Sequence, residues 1–79
     1  MDEKEILEHI QRVYNEVTGQ DDLELKPGTR FKGKEEISSL VLVELVTCLE
    51  DEFDINLKYS DIKSLKTVRG LTKLIKEQI

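Results

Sequence analysis

The sequence feature that most constrains the fold is the apolar periodicity between residues 39 and 53. Apolar side chains recur there every third or fourth residue, which places them along one face of an α-helix. These residues are Leu42, Leu45, Val46, Leu49 and Phe53. A stripe of this kind must be buried against other elements, so the sequence predicts a central helix from about Ser39 to Phe53 that packs into a core.

Two hydroxyl residues stand where this helix begins. Ser38 is placed to cap the first turn, and Ile37 and Leu42 then have the spacing of a hydrophobic staple. Ser39 follows at the first helical position, at the positive end of the helix dipole. A phosphate is favoured at such a position, whether bound or covalently attached, although a pair of serines is also an ordinary way to start a helix.

The rest of the chain also has the patterns of helices. Asp2 and Glu5 form a capping-box pattern before a four-turn apolar stripe that Gly19 is placed to end. Thr67 is placed to cap a last helix, and no strand-like alternation persists. The first stripe comprises Ile6, Ile10, Val13 and Val17, with Leu7 and Tyr14 beside it, and the last comprises Val68, Leu71, Leu74 and Ile75.

These elements predict an all-α fold in a single domain over residues 1–79. Ile62 and Leu65 mark one short helical turn, so we expect a small bundle of three main helices and one short helix. A long connection, residues 20–37, separates the first two helices, and Lys26-Pro27-Gly28 is a turn signal within it. A long loop in a compact domain needs anchors, and the apolar residues able to supply them are Leu23, Leu25, Phe31 and Ile37.

Composition limits the classes of function. The chain has 79 residues, a net charge of −5, one cysteine and no apolar run long enough to span a bilayer. We therefore expect a soluble, cytoplasmic and monomeric protein without a disulfide. The negative charge disfavours nucleic acid as a partner.

The charges are unevenly distributed along the chain. Seven acids and no base lie between Glu35 and Leu57, whereas Lys58 to Ile79 holds six bases and two acids. An acidic surface beside a possible modification site favours docking of basic partners. The simpler interpretation is a solvated acidic face.

Patterns of several catalytic and metal sites are incomplete. Gly28 to Glu35 resembles a phosphate loop but has Glu35 in place of the required Ser or Thr, with no strand before it. The run from Asp51 to Asn56 lacks the ligand spacing of a calcium loop. His9 has no second histidine or paired nucleophile near it in sequence and is interpreted as a surface residue. The sequence predicts no metal site, no catalytic residue and no enzymatic activity.

The order of these features resembles the acyl carrier protein family over essentially the whole chain. The resemblance includes the long loop with Phe31, the Ser39-Leu40 helix start, Glu52-Phe53-Asp54 and the residues before the last helix, Leu65 to Val68. It implies that Ser39 carries covalent 4′-phosphopantetheine, whose thiol holds an acyl group as a thioester. It also implies a phosphopantetheinyl transferase and acyl-loading and acyl-processing enzymes as partners, in fatty-acid, polyketide or related biosynthesis.

The partner-binding surface is predicted on the outer face of the central helix. The family resemblance implies that four acidic residues face basic patches on partner enzymes: Glu44, Glu50, Asp51 and Glu52. Val41 and Cys48 are apolar residues of the same outer face that the core does not require. The full predicted set is Leu40, Val41, Glu44, Cys48, Glu50, Asp51 and Glu52.

The sequence departs from the family at the motif itself. Ser38 stands where the family has Asp before the modified serine, which preserves a helix cap but removes a negative charge. Val41 and Leu42 make the first turn more apolar, which suggests a specialised carrier. Two alternatives follow: a carrier-like interaction module that is not modified, and an aminoacyl or peptidyl carrier.

Overall fold

The computed structural model describes residues 1–21, 23–31 and 39–79, without the side chain of Ser39. These described residues form four helices: α1 (Glu3–Thr18), α2 (Ser39–Phe53), α3 (Tyr59–Ser64) and α4 (Val68–Gln78). No strand occurs in the described residues, where the extended segments form a single isolated bridge between Arg30 and Thr67. The predicted all-α bundle of three main helices and one short helix is confirmed.

The ends of α1 follow the predicted capping chemistry. The Asp2 carboxylate accepts a hydrogen bond from the backbone N–H of Glu5 at 2.8 Å, and the Glu5 carboxylate accepts one from the N–H of Asp2 at 3.3 Å. Gly19 ends the helix with φ +69°, and its N–H donates to the carbonyl of Asn15 at 2.9 Å. A left-handed residue at this position favours glycine because no Cβ is present to clash.

The core is built from one stripe of each long helix. Helix α1 packs against both α2 and α4, so its apolar face is shared between them. Val17, Phe53 and Leu74, which the sequence assigned to buried stripes, are only partly buried at the edge of the core. The buried apolar residues of the helices are Ile6, Ile10, Val13 and Tyr14 of α1, Leu42, Leu45, Val46 and Leu49 of α2, and Val68, Leu71 and Ile75 of α4.

The connection after α1 is held against that helix by the side chain of Gln11. Its amide nitrogen donates to the carbonyl of Leu23 at 2.9 Å, and its amide oxygen accepts from the N–H of Leu25 at 2.6 Å. Leu25 and Phe31 are buried, as the sequence predicted, and Leu23 is partly buried. The fourth predicted anchor, Ile37, lies outside the described residues.

The same connection is tied to the start of α4 through backbone hydrogen bonds. Thr67 caps α4 as predicted, since its hydroxyl accepts from the N–H of Gly70 at 3.4 Å. The two segments therefore fix each other, because each supplies partners for backbone groups that the other would leave unpaired. The bonds run from Phe31 N to Lys66 O (3.0 Å), from Val68 N to Thr29 O (2.9 Å) and from Arg69 N to Pro27 O (2.9 Å).

Helix α3 is a short connecting element. It buries no residue fully, but Ile62 is partly buried against the core and Leu65, directly after the helix, is buried. A Cβ on Gly70 would lie 3.4 Å from the end of the Leu65 side chain, which is ordinary contact. Close packing therefore does not require glycine there, and Gly70 is a residue of low helix propensity within α4.

Candidate functional site

The candidate site is the amino-terminal end and outer face of α2. The helix begins at Ser39 and ends at Phe53, as predicted. This end of α2 is the positive end of the helix dipole. Ser38 and Ile37, the predicted cap and staple residues, lie outside the described residues.

Apolar side chains that the core does not use lie near this end of α2. Leu40 is 71% exposed and Val43 is 56% exposed, and the three-residue spacing places them on one side of the helix. Val43 was missed in the sequence, although its position one residue beyond Leu42 takes it off the buried stripe. The outer face of α2 thus begins with an apolar patch, Leu40 and Val43.

The remaining outward residues of α2 are mostly those predicted. Glu44, Cys48 and Asp51 are exposed, and Cys48 is a free thiol. Val41 differs from the prediction: it is partly buried and packs against the core. The buried stripe of α2 is therefore wider on that side than the periodicity alone indicated.

Glu50 has a partner within the fold. Its carboxylate accepts a hydrogen bond from the N–H of Leu57 at 2.8 Å, and its backbone carbonyl accepts one from Ile55 at 3.0 Å. Asp54, directly after the last residue of α2, has φ +55°, the left-handed conformation that ends the helix. Glu50 therefore stabilises the turn after α2, whatever part it also takes in docking.

Glu52 joins the end of α2 to α1. Its Oε2 lies 2.7 Å from Nδ1 of His9 and accepts a hydrogen bond from the guanidinium of Arg12. The hydrogen bond from Arg12 is the main reason that the pKa of Glu52 is below its usual range; partial burial opposes the shift and His9 adds to it. The His9 ring also meets Phe53 edge-on, with 5.2 Å between ring centroids.

This cluster gives His9 a structural contact that the sequence did not reveal. The sequence interpreted His9 as a surface residue, and its side chain is 36% exposed. The available signal was that His9 and Arg12 lie three residues apart on α1 and so face the same side. Their common partner is 40 or more residues away in sequence, which local spacing does not reveal.

Two further kinds of site can be assessed within the described ranges. No group of three or more His, Cys, Asp or Glu residues there could hold a metal ion. Among the helices so described, none is long and apolar enough to cross a membrane.

The chain matches the family model described as "Phosphopantetheine attachment site" over residues 8–75. This match covers most of the chain, including α2 and α3 entirely. It defines the class of protein: a phosphopantetheine-attachment domain.

Several acyl carrier proteins are similar to this chain over most of its length. The one from Myxococcus xanthus is 32% identical over 72 residues, 91% of each chain. The one from Thermobifida fusca is 31% identical over 75 residues, 95% of each chain. The one from Exiguobacterium sibiricum is 32% identical over 79 residues, the full length of both. The chain belongs to the acyl carrier protein family.

Family membership implies covalently attached 4′-phosphopantetheine, and the residues at the start of α2 fit this group. Ser39 is the first residue of a 15-residue helix, a position at which a phosphodiester would gain from the helix dipole. The first turn has no acidic residue to repel the phosphate. Leu40 and Val43 offer exposed apolar surface beside that position.

Proposed function

We propose that Ser39 is the attachment residue and that the protein carries an acyl group between partner enzymes. The observation that carries this proposal is the start of α2 at Ser39, inside a chain matched over residues 8–75 to a phosphopantetheine-attachment model. When attached, the prosthetic group supplies a thiol that holds the acyl group as a thioester. The role of the protein is to hold the phosphate at the start of α2 and to present the prosthetic group to partner enzymes.

Docking of partner enzymes is proposed on the outer face of α2. Leu40 and Val43 supply an apolar contact next to the attachment residue, and Glu44 and Asp51 supply negative charge farther along. Cys48 lies on the same face. A basic patch on the enzyme would be attracted by these carboxylates, and such an attraction weakens with salt.

The other predicted docking residues have a smaller part in this proposal. Glu50 and Glu52 already accept hydrogen bonds within the fold, so they offer less free charge to a partner. Val41 is partly buried against the core and contributes only at the edge of the surface.

The partners proposed are a phosphopantetheinyl transferase and the acyl-loading and acyl-processing enzymes of fatty-acid, polyketide or related biosynthesis. The carrier itself is proposed to be a non-enzymatic monomer in the cytoplasm. An aminoacyl or peptidyl cargo is the alternative within the same class, because the attachment chemistry is the same.

The test is intact-mass measurement after incubation with coenzyme A and a broad-specificity phosphopantetheinyl transferase. We expect the mass of one phosphopantetheine to be added to the wild type and to Ser38→Ala, and none to Ser39→Ala. Circular dichroism of each variant confirms that the helices are retained.

Other results would change the assignment. Addition to Ser39→Ala but not to Ser38→Ala would move the attachment to Ser38. No addition to a folded wild-type chain, also with its own organism's transferases, would favour an unmodified interaction module.

A further inference from the structure

The outer face of α4 carries a line of positive charge. Arg69, Lys73 and Lys76 follow the i, i+4, i+7 spacing, which aligns them on one side of the helix over about 10 Å. All three are exposed, and within the described part of the chain none of them forms an ion pair. We call these three residues the basic stripe.

Two clefts flank the basic stripe. One, of about 280 Å³, lies between α1 and α4; Arg69 lines it together with Lys4, Glu3 and the apolar residues Leu7 and Pro27. The other, of about 390 Å³, lies beside α3; Lys73 lines it with Lys66, Leu65 and Leu74, and also with Asp61 and Glu77. The stripe is therefore a positive ridge between two partly apolar grooves, each with a further lysine.

We propose that the basic stripe docks an acidic amphipathic segment of a partner protein. Carboxylates of the segment would pair with the stripe, and apolar side chains on either side of them would enter the two clefts. The stripe is on a different helix from the proposed docking face of α2, so the two surfaces use different residues.

Charge and burial favour this occupant over others. Most of the apolar stripe of α4 is used by the core, with Val68, Leu71 and Ile75 at 0% exposure and Leu74 partly buried, so α4 has no broad apolar face to insert into a bilayer. The net charge of −5 repels an anionic membrane, which presents an extended surface to the whole chain. A short acidic segment contacts only the stripe and its clefts, where basic residues outnumber acidic ones.

The probe is a fluorescent helical peptide with glutamates at i, i+4 and i+7 and leucines beside them. Its affinity is measured by anisotropy at about 50 mM salt, where the Debye length still allows surface charges to interact. The control is a peptide of the same composition with its glutamates distributed around the helix. We expect the patterned peptide to bind several-fold more tightly, with backbone amide shifts grouped around Arg69, Lys73 and Lys76.

Matched variants distinguish the effect of the stripe on peptide binding from the effect of total charge. Lys73→Glu/Lys76→Glu and Arg30→Glu/Lys58→Glu change the net charge equally, and all four residues are exposed. We expect about a tenfold or greater loss of peptide affinity in the first variant and less than about threefold in the second, since exposed ion pairs depend on local geometry. If the first variant fails to fold, Lys73→Gln/Lys76→Gln is used with Arg30→Gln/Lys58→Gln as its control.

Several results would overturn the proposal. Equal losses in the two variants, or equal affinity for the two peptides, would reduce the binding to unspecific charge attraction. Sedimentation of the chain with phosphatidylserine vesicles, lost in the stripe variant, would assign the stripe to membranes. Self-association of the wild type that the stripe variant abolishes would assign it to a second copy of the chain.

Discussion

The outer face of α2 and the α1–α4 side of the molecule use their side chains differently. On the α1–α4 side, the connecting segment is bound by Gln11 and by backbone hydrogen bonds to the start of α4. On the outer face of α2, Leu40 and Val43 are exposed. In the first region the hydrogen bonds stabilise the fold, whereas the second region contains apolar side chains that remain exposed to water.

This difference indicates where function is located. Leaving a large apolar side chain in water forgoes the free energy that its burial would provide. Single exposed apolar residues are common on protein surfaces, but here two lie next to the proposed attachment residue. The same helix contributes Leu45 and Leu49, both at 0% exposure, to the core, so α2 serves folding on one face and is free to serve docking on the other.

Two leucine-to-alanine variants test the comparison most strongly. Leu71 of α4 is at 0% exposure. Leu71→Ala is expected to lower the unfolding free energy by about 2–5 kcal/mol, because a cavity remains. Leu40→Ala is expected to change stability by less than about 0.5 kcal/mol. The kcat/KM of a partner enzyme for the Leu40→Ala carrier as its substrate should fall by about tenfold, because Leu40 is expected to contact the enzyme in the complex.

Urea unfolding followed by circular dichroism gives both stabilities, and steady-state assays with the loading enzyme give the second effect. Comparable destabilisation by the two variants would show that the outer face of α2 belongs to the core. Unchanged kcat/KM for Leu40→Ala across loading and processing enzymes would remove Leu40 from the docking face.

The hydrogen bonds of Gln11 give the next largest effect. Gln11→Ala removes both bonds to the connecting segment and is expected to cost about 1–2 kcal/mol of unfolding free energy. Gln11→Glu should lose about half as much, because a carboxylate still accepts from the N–H of Leu25 but cannot donate to the carbonyl of Leu23.

Hydrogen exchange of the Leu25 amide follows the same bond directly. We expect faster exchange in Gln11→Ala and near-normal exchange in Gln11→Glu. If neither variant changes exchange or stability, the segment is held by the burial of Leu25 and Phe31 alone.

Local sequence patterns were sufficient to predict most of the fold. Each helix has its own apolar period, and Asp2, Gly19 and Thr67 are capping residues whose roles depend only on neighbours within a few positions. The start of α2 at Ser39 is likewise a local property. The buried positions of Leu25 and Phe31 followed from their apolar character in an otherwise polar connection.

Contacts between distant segments could not be read from spacing. Gln11 meets residues 12 and 14 positions away, and Glu52 meets residues of α1 that are 40 and 43 positions away. Polar side chains carry no periodic signal that would identify such partners. The partial burial of Val41 depends in the same way on how neighbouring elements lie against α2.

The smallest expected effect is at Glu52, where the two regions are joined. The pKa of Glu52 is lowered in the folded chain, chiefly by the hydrogen bond from Arg12. The ionised carboxylate therefore stabilises the fold above the ordinary glutamate pKa of about 4.3, and this contribution is lost as the pH falls through the lower, folded value. Glu52→Gln should be slightly less stable than the wild type at neutral pH.

The difference in stability between Glu52→Gln and the wild type should shrink as the pH is lowered below the ordinary glutamate range, because the wild-type carboxylate then becomes neutral too. Glu44→Gln, an exposed change on the same helix, provides the matched control. Thermal unfolding across an acid pH series measures both variants at low salt, where an exposed pair is screened least. A pH-independent difference for Glu52→Gln would mean that the contact with α1 depends on shape and hydrogen bonding rather than on charge. In that case the junction between α1 and the end of α2 would withstand protonation, and Glu52 would not make the fold sensitive to acid.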